Sequence, residues 1–393
     1  MKFVIVYVDG LADLPVACLG NRTPLEAAST PALDALAAGG VCGRLDLLPS
    51  GERVAPEKPL FALLGGDLRR GVPGRGGLEA FATGVPAGGQ GCVASGRLVS
   101  QLDGRLTDLG AGNLRDAEAR LLVERLNAAL GAPGLELVHL RRNEVLLLLG
   151  DATGERAETT APECCAGRPI LEHLPRGPGG ERLAALVRAS AEILEEDPVN
   201  RVRCDLGENP ANLLWVSGVE NLPLDARWLS VQPHKGAMVS EELWAVGMAM
   251  AFGFDPQGEG DVVAADTEAV GRLAVAAVDV YDLVVAHVSD PGRAALAQDS
   301  RRKVASIEEL DRRVVAPLHE RVAADGGRLA VISAWTASSR EGLVVPGCSP
   351  FVLWGRGAEG GRAGRRLTED EVRNAHLEVR DPAQLREYLF AER

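Results

Sequence analysis

Asp9 stands directly behind the apolar run Lys2-Phe3-Val4-Ile5-Val6-Tyr7-Val8 and ahead of Gly10. An open parallel sheet presents its ligand groups at the carboxyl ends of its strands, so a carboxylate there is a candidate metal ligand. An aspartate in that place also caps turns, and the residue alone does not choose between the two. The six histidines, His139, His173, His234, His287, His319 and His376, include no pair at i, i+4 spacing. His287 closes an apolar run and reads as a satisfied buried histidine, and His319 lies on a charged helix face. The seven cysteines, Cys18, Cys42, Cys92, Cys164, Cys165, Cys204 and Cys348, form no C-x-x-C pair. That odd, scattered set argues against a zinc ribbon or a disulfide framework and for a reducing compartment. The adjacent Cys164 and Cys165 read as small residues in a turn. Partners of a Ser/His/Asp triad meet only in the fold, and no Gly-x-Ser-x-Gly elbow marks a serine. The glycine-rich stretches Gly71 to Gly77 and Gly355 to Gly357 lack the lysine of a phosphate-cradling loop and read as turns.

The elements that must position these groups alternate between strand and helix. After the first strand, Thr30 can cap a helix with Pro31 at its first position and Gly39 at its end. Asp282 to His287 and Arg328 to Ser333 are short runs rich in β-branched residues, separated by a long charged helix from about Ser300 to Ala324. Continuous apolar strands joined by helices imply an α/β fold, a mostly parallel sheet with helices on both faces. The middle differs: a helix at Arg115 to Leu130, two strands between Leu135 and Leu149, and a second helix running from Gly180 to Glu196. The economical arrangement is a core domain of residues 1–85 and 225–393 interrupted by a smaller inserted α/β domain of residues 86–224.

The chain has 393 residues, 46% hydrophobic and 25% charged, with a formal net charge of −13. A surface of that sign repels nucleic-acid backbones and anionic lipid, so neither nucleic acid nor membrane is an expected partner. Apolar stretches such as Val145 to Leu149 are far shorter than a membrane span needs. The N-terminus reads as a strand instead of a signal peptide. These features make the cytoplasm the expected location.

Five segments then occur in order: Gly10-Leu11-Ala12-Asp13, Thr23-Pro24-Leu25-Glu26-Ala27-Ala28, Thr30-Pro31-Ala32-Leu33-Asp34, Phe61-Ala62-Leu63-Leu64-Gly65-Gly66-Asp67 and Gly74-Arg75-Gly76-Gly77-Leu78-Glu79-Ala80. With weaker matches at Leu106-Thr107-Asp108, Asp197-Pro198-Val199-Asn200, Pro210-Ala211-Asn212 and Phe252-Gly253-Phe254-Asp255, they resemble the archaeal-type cofactor-independent phosphoglycerate mutases of the alkaline phosphatase superfamily. The resemblance implies an alkaline-phosphatase-like core and two divalent metals, usually manganese or zinc, held by Asp and His. It also implies a transiently phosphorylated serine, with phosphate moving between the hydroxyls of glycerate.

At the positions that resemblance assigns to chemistry, the residue types differ. Pro56 occupies the nucleophile position and has no hydroxyl. Gly292, Leu296, Trp335, Thr336 and Val345 occupy metal-ligand positions, leaving Asp9 as the expected surviving ligand. The family's arginine-rich substrate stretch reads Leu109-Gly110-Ala111-Gly112-Asn113, and a His-Arg pair reads Arg142-Asn143. A residual cleft of Asp9, Glu57, Asp108, Asn200, Arg203 and Lys235 is expected, with Lys235 either a retained family lysine or a solvated loop residue. The sequence therefore favours a metal-free, non-catalytic homologue acting in binding, regulation or assembly, with no catalytic residue, no cofactor, and a protein partner or a second copy of itself. One alternative is an active metal-dependent phosphomutase or phosphatase in which Asp9, Glu57, Asp290 and Asp299 gather around Mn or Mg. Another is a sensor of an anionic small molecule.

Overall fold

The computed structural model describes residues 1–45, 56–85, 91–131, 134–150, 157–224, 235–258, 262–345, 347, 349–373, 375, 377–380 and 382–390. His234, His376, Cys348 and the expected domain boundaries at 85/86 and 224/225 fall wholly or partly outside these residues. The chain lays down strands β1 (Phe3–Val8) and β2 (Val41–Leu45), then β3 (Gly91–Leu102), β4 (Arg105–Asp108), β5 (Leu135–Arg141), β6 (Glu144–Leu149) and β7 (Leu213–Leu222). It continues with β8 (Gly236–Ser240), β9 (Asp255–Pro256), β10 (Leu283–Val288), β11 (Arg328–Ser333), β12 (Thr336–Ser338), β13 (Leu343–Val345), β14 (Ser349–Gly355) and β15 (Glu378–Val379). Two compact units result, Met1–Val72 with Ser230–Arg393, and Pro73–Leu229. Among the described residues no helix is long and apolar enough to cross a membrane.

The outer unit is built on an eight-stranded sheet ordered β15-β2-β14-β11-β1-β10-β8-β9. Within it only β14 runs against the rest, pairing antiparallel with β11 and β2. β1 is buried on both faces, as a continuous apolar strand in a covered parallel sheet must be. Val4, Val6 and Val8 face a core shared with Leu33, Leu36, Val270, Ala274, Leu318 and Val322. Those partners come from helices Pro31–Gly39, Thr267–Val280 and Ala316–Asp325. On the opposite face the Phe3 ring meets Phe390 of the C-terminal helix Pro382–Phe390 edge-on at 5.1 Å.

Two local features depart from the sequence expectation for physical reasons. Thr30 precedes helix Pro31–Gly39 but makes no side-chain cap. The Asp311 carboxylate does that work across the fold, accepting from the backbone N–H of Ala32 at 3.1 Å and Leu33 at 2.7 Å. The long charged helix runs as Ser300–Leu310, a π-helical turn at Asp311–Val315, and Ala316–Asp325. Pro317 lacks the N–H that would bond the Arg313 carbonyl four residues back, so the ladder loosens there. That carbonyl lies so close to Gly271 that a Cβ at 271 would meet it at 2.0 Å, which ties the glycine to this turn.

The inserted unit holds an antiparallel sheet of β4-β3-β6-β5 with β7 on the other edge of β3. Helices Asp116–Leu130 and Gly180–Glu195 contribute Leu122, Leu126, Leu183 and Val187 to its core. The helix Arg75–Thr83 belongs to this unit, with a Cβ at Gly76 meeting the β3 backbone of Ala94 at 2.6 Å. Cys164 and Cys165 stand at a single 3-10 turn, neither of them in a disulfide.

Candidate functional site

The register of three parallel strands places Tyr7 of β1, His287 of β10 and Ser240 of β8 side by side at the carboxyl edge of the outer sheet. Asp9 follows β1 by one residue and turns back beside them. The His287 ring has Nδ1 2.7 Å from Ser240 Oγ and Nε2 3.1 Å from Asp9 Oδ2. The first is a hydrogen bond, and the second is an ion-pair distance without hydrogen-bond alignment. Ser240 Oγ also accepts from the Glu242 backbone N–H at 2.9 Å. The rings of Tyr7 and Trp244 flank the imidazole at 5.5 and 5.6 Å.

Ser240, His287 and Asp9 are thus the Ser/His/Asp arrangement whose partners no sequence spacing revealed. Burial opposes a charged imidazole, but Asp9, with Glu242 and Glu241 beyond it, outweighs burial and holds the His287 pKa above its ordinary value. Burial, reinforced by Asp9 and Glu57, keeps the Tyr7 phenol protonated well beyond its usual range. The arrangement can hold a proton on His287, between the Asp9 carboxylate and the Ser240 hydroxyl. Ser240 is fully buried, so it orients the imidazole and is shut off from a substrate. Asp9 Oδ1, Tyr7 Oη and Trp335 Nε1 are buried without a hydrogen-bond partner among the described residues.

Beside this trio lies a second group. Glu241 and Glu242 follow β8 directly, and Asp290 opens the helix Asp290–Leu296. All three carboxylates converge on Arg293, with Nη1 3.1 Å from Asp290 and Nη2 2.5 Å from Glu241 and 3.2 Å from Glu242. Arg293 also donates to the Ser289 hydroxyl. The Thr267 hydroxyl lies between Asp290 Oδ2 at 3.1 Å and Glu241 Oε1 at 3.3 Å. Burial pulls the Arg293 pKa down, and the three carboxylates more than reverse it. Burial also raises the Glu241 pKa, with Arg293 acting against it.

The structure distributes the sequence-selected residues unevenly. Pro56 begins the helix Glu57–Leu63, and Glu57 is buried within electrostatic reach of Tyr7, so Asp9 and Glu57 share one neighbourhood. Gly292 and Gly10 face each other with the Trp335 indole wedged alongside. A Cβ at Gly292 would meet Trp335 Cη2 at 2.9 Å and Asp9 Cβ at 3.1 Å, and Gly10 takes a φ of +59° in the turn. Thr336 pairs with Val345 in the β12–β13 hairpin, and Leu296 is half-buried at the end of its helix. Asp299 is exposed and caps the helix Ser300–Leu310 by accepting from Arg302 N at 2.9 Å. Asp290 is engaged by Arg293, so the gathering of Asp9, Glu57, Asp290 and Asp299 around one ion does not form. Among the described residues no group of three or more His, Cys, Asp or Glu is placed to hold a metal ion. The described side chains do not fit the divalent pair that the resemblance implies.

Lys235 lies outside this neighbourhood, at the amino end of β8, with its ammonium 4.9 Å from the Tyr281 ring centre. In the inserted unit, Arg203 and Asn200 are spent on backbone groups. Arg203 donates to Asn209 O, Ala111 O and Gly112 O and pairs with Glu118 at 2.8 Å. Asn200 bonds Leu194 O, Ala211 O and Ala211 N. Asp108 accepts from the N–H of Gly110 and Gly112 and from Asn209. These three clasp the loops of their own unit together. Sequence reasoning missed Tyr7, Ser240, Glu241, Glu242 and Arg293. The available signal was Ser240-Glu241-Glu242 closing an apolar strand, the same pattern that singled out Asp9.

The family described as 2,3-bisphosphoglycerate-independent phosphoglycerate mutase matches residues 37–200. A Methanosarcina mazei protein of that name is 33% identical over 329 residues, 81% of each chain. A Geobacter sulfurreducens protein described as a probable enzyme of the same name is 30% identical over 407 residues, covering 99% of this chain and 100% of its own. A solved Pyrococcus horikoshii structure superposes with a TM-score of 0.70 at 21% identity, covering 99% and 97% of the two chains, a likeness of fold. These relatives overturn the expectation of a non-catalytic homologue, because proteins similar over most of their length are named as mutases. That expectation rested on side-chain types at counted offsets, which are blind to groups such as Ser240, His287 and Arg293 that only the strand order gathers.

Proposed function

Because the chain belongs to the 2,3-bisphosphoglycerate-independent phosphoglycerate mutase family, we propose that it transfers a phosphoryl group on a small phosphorylated hydroxy acid, interconverting 2- and 3-phosphoglycerate or acting on a related phosphoester. The reaction takes place at the carboxyl edge of the outer sheet. The observation that carries the reading is the Asp9–His287 pair at that edge, in a chain whose relatives of nearly full length are named as mutases.

Asp9, 6% exposed at the sheet edge, is the base: the attacking hydroxyl gives it a proton as its oxygen bonds phosphorus, and the oxygen that leaves phosphorus takes that proton back. His287 sits against one carboxylate oxygen and offsets the charge there, while Ser240 fixes the ring through Nδ1. Trp335 and Trp244 pack beside the pair and lower the polarity around it, which strengthens each electrostatic contact. No step is routed through a metal, since the donor set does not fit one.

An enolase-coupled assay with 3-phosphoglycerate, run beside a panel of phosphomonoesters with and without added manganese or magnesium, tests the reading. Turnover that falls on Asp9→Asn supports it. Folded protein that converts none of these substrates under any of these conditions overturns it.

A further inference from the structure

We propose that the Arg293 guanidinium is the resident cation of this edge, supplying to Glu241, Glu242 and Asp290 the positive charge that a bound ion would otherwise have to supply. The inference concerns the charge of the site and stands apart from the identity of the substrate. Three carboxylates from two separate segments, the turn after β8 and the helix Asp290–Leu296, point at one side chain. Its contacts to them are 2.5, 3.2 and 3.1 Å. Carboxylates aimed at a common point repel one another unless a cation lies between them. Here that cation is covalently tethered, so it is present at high effective concentration and a free ion has to displace it. Thr267 fills the gap between Glu241 and Asp290, and the Ser289 hydroxyl lies 3.2 Å from Glu242 Oε1, so the remaining oxygens meet hydroxyls.

The other side of the edge is closed independently. Asp9 already has His287 at 3.1 Å, and the Trp335 ring fills the space between Gly10 and Gly292 so tightly that any side chain at 292 would collide with it. Asp9 and the cluster of Glu241, Glu242 and Asp290 therefore each carry a side-chain counter-group, and the ring beside Asp9 leaves no room for a ligand residue at 292.

The test measures metal, which separates it from the question of turnover. Wild-type protein and the Arg293→Met variant are dialysed against manganese, magnesium or zinc, rinsed in metal-free buffer, and analysed for metal content and for thermal unfolding with and without manganese. The expected result is wild-type protein with substoichiometric metal and an unmoved Tm, and a variant whose Tm rises with manganese concentration because its three carboxylates have lost their counter-ion. Wild-type protein that retains a stoichiometric ion, lost on Asp9→Asn or Glu241→Gln, overturns the proposal. So does a folded Arg293→Met variant with no response to any of the metals. Should that variant not fold, Arg293→Gln replaces it, and the wild-type metal content remains decisive.

Discussion

Two buried ion pairs begin four residues apart in sequence, Asp9 with His287 and Asp13 with Lys303, and they are finished very differently. Lys303 spends its three protons on Asp13 at 2.9 Å and on the carbonyls of Ala12 and Ala337 at 3.1 Å. Asp13 in turn accepts from the N–H of Leu14 and from the N–H and hydroxyl of Ser339. That network is closed and pins the turn after β1 to the helix Ser300–Leu310 and to the turn after β12. Around the Asp9 pair, Asp9 Oδ1, Tyr7 Oη and Trp335 Nε1 have no hydrogen-bond partner among the described residues. A fully satisfied buried charge serves the fold, whereas an unsatisfied one costs stability and is kept for another purpose.

The sharpest way to break this contrast is Lys303→Met. It strands Asp13 without its cation and is expected to cost about 3–5 kcal/mol in urea unfolding. A cost below about 1 kcal/mol would mean that the closed network does not bear on the fold as described. Next in size is Glu79→Gln in the inserted unit. Burial, with the nearby Glu144 charge, pushes the Glu79 pKa up from 4.5 to about 8. The folded carboxyl stays neutral while the unfolded chain ionises, so folding is opposed increasingly as pH rises from 4.5 to 8. Glutamine mimics the neutral acid, and the variant should gain roughly 2–4 kcal/mol over wild type at pH 8 and little at pH 5. An equal gain at both pH values would place the Glu79 proton elsewhere.

Smaller effects sharpen the same comparison. Asp299→Ala removes a helix cap and should lower stability by about 1 kcal/mol with no change in turnover. Lost turnover would return Asp299 to the site. Asp9→Asn should change stability least, within about 1 kcal/mol, because His287 can shed its charge when the carboxylate goes and keeps its hydrogen bond to Ser240. A larger destabilisation would make Asp9 a structural residue like Asp13.

The frame of the outer sheet was legible in the sequence because β1, β10 and β11 are continuous apolar runs, and Asp9 was legible because it ends one of them. Less could be read where the cause is remote. The cap of helix Pro31–Gly39 comes from Asp311, and no local pattern at Thr30 announces that exchange. Ser240, Glu241 and Glu242 reach His287 and Asp9 only because β8 lies next to β10, an order that hydrophobic periodicity does not contain. Asp108, Asn200 and Arg203 were grouped with the cleft by residue type, yet their donors and acceptors close on backbone within the inserted unit. The same reliance on type produced the non-catalytic expectation at Pro56, Gly292 and Trp335, which the named relatives correct.

The most direct test of the account is to follow 3-phosphoglycerate by phosphorus NMR with wild-type protein and with Asp9→Asn at matched concentration and verified folding. The account predicts conversion to 2-phosphoglycerate by wild type and a loss of roughly 10²-fold or more in the variant. Equal rates in the two proteins, or a folded wild type that leaves 3-phosphoglycerate and every related phosphoester untouched, would contradict it.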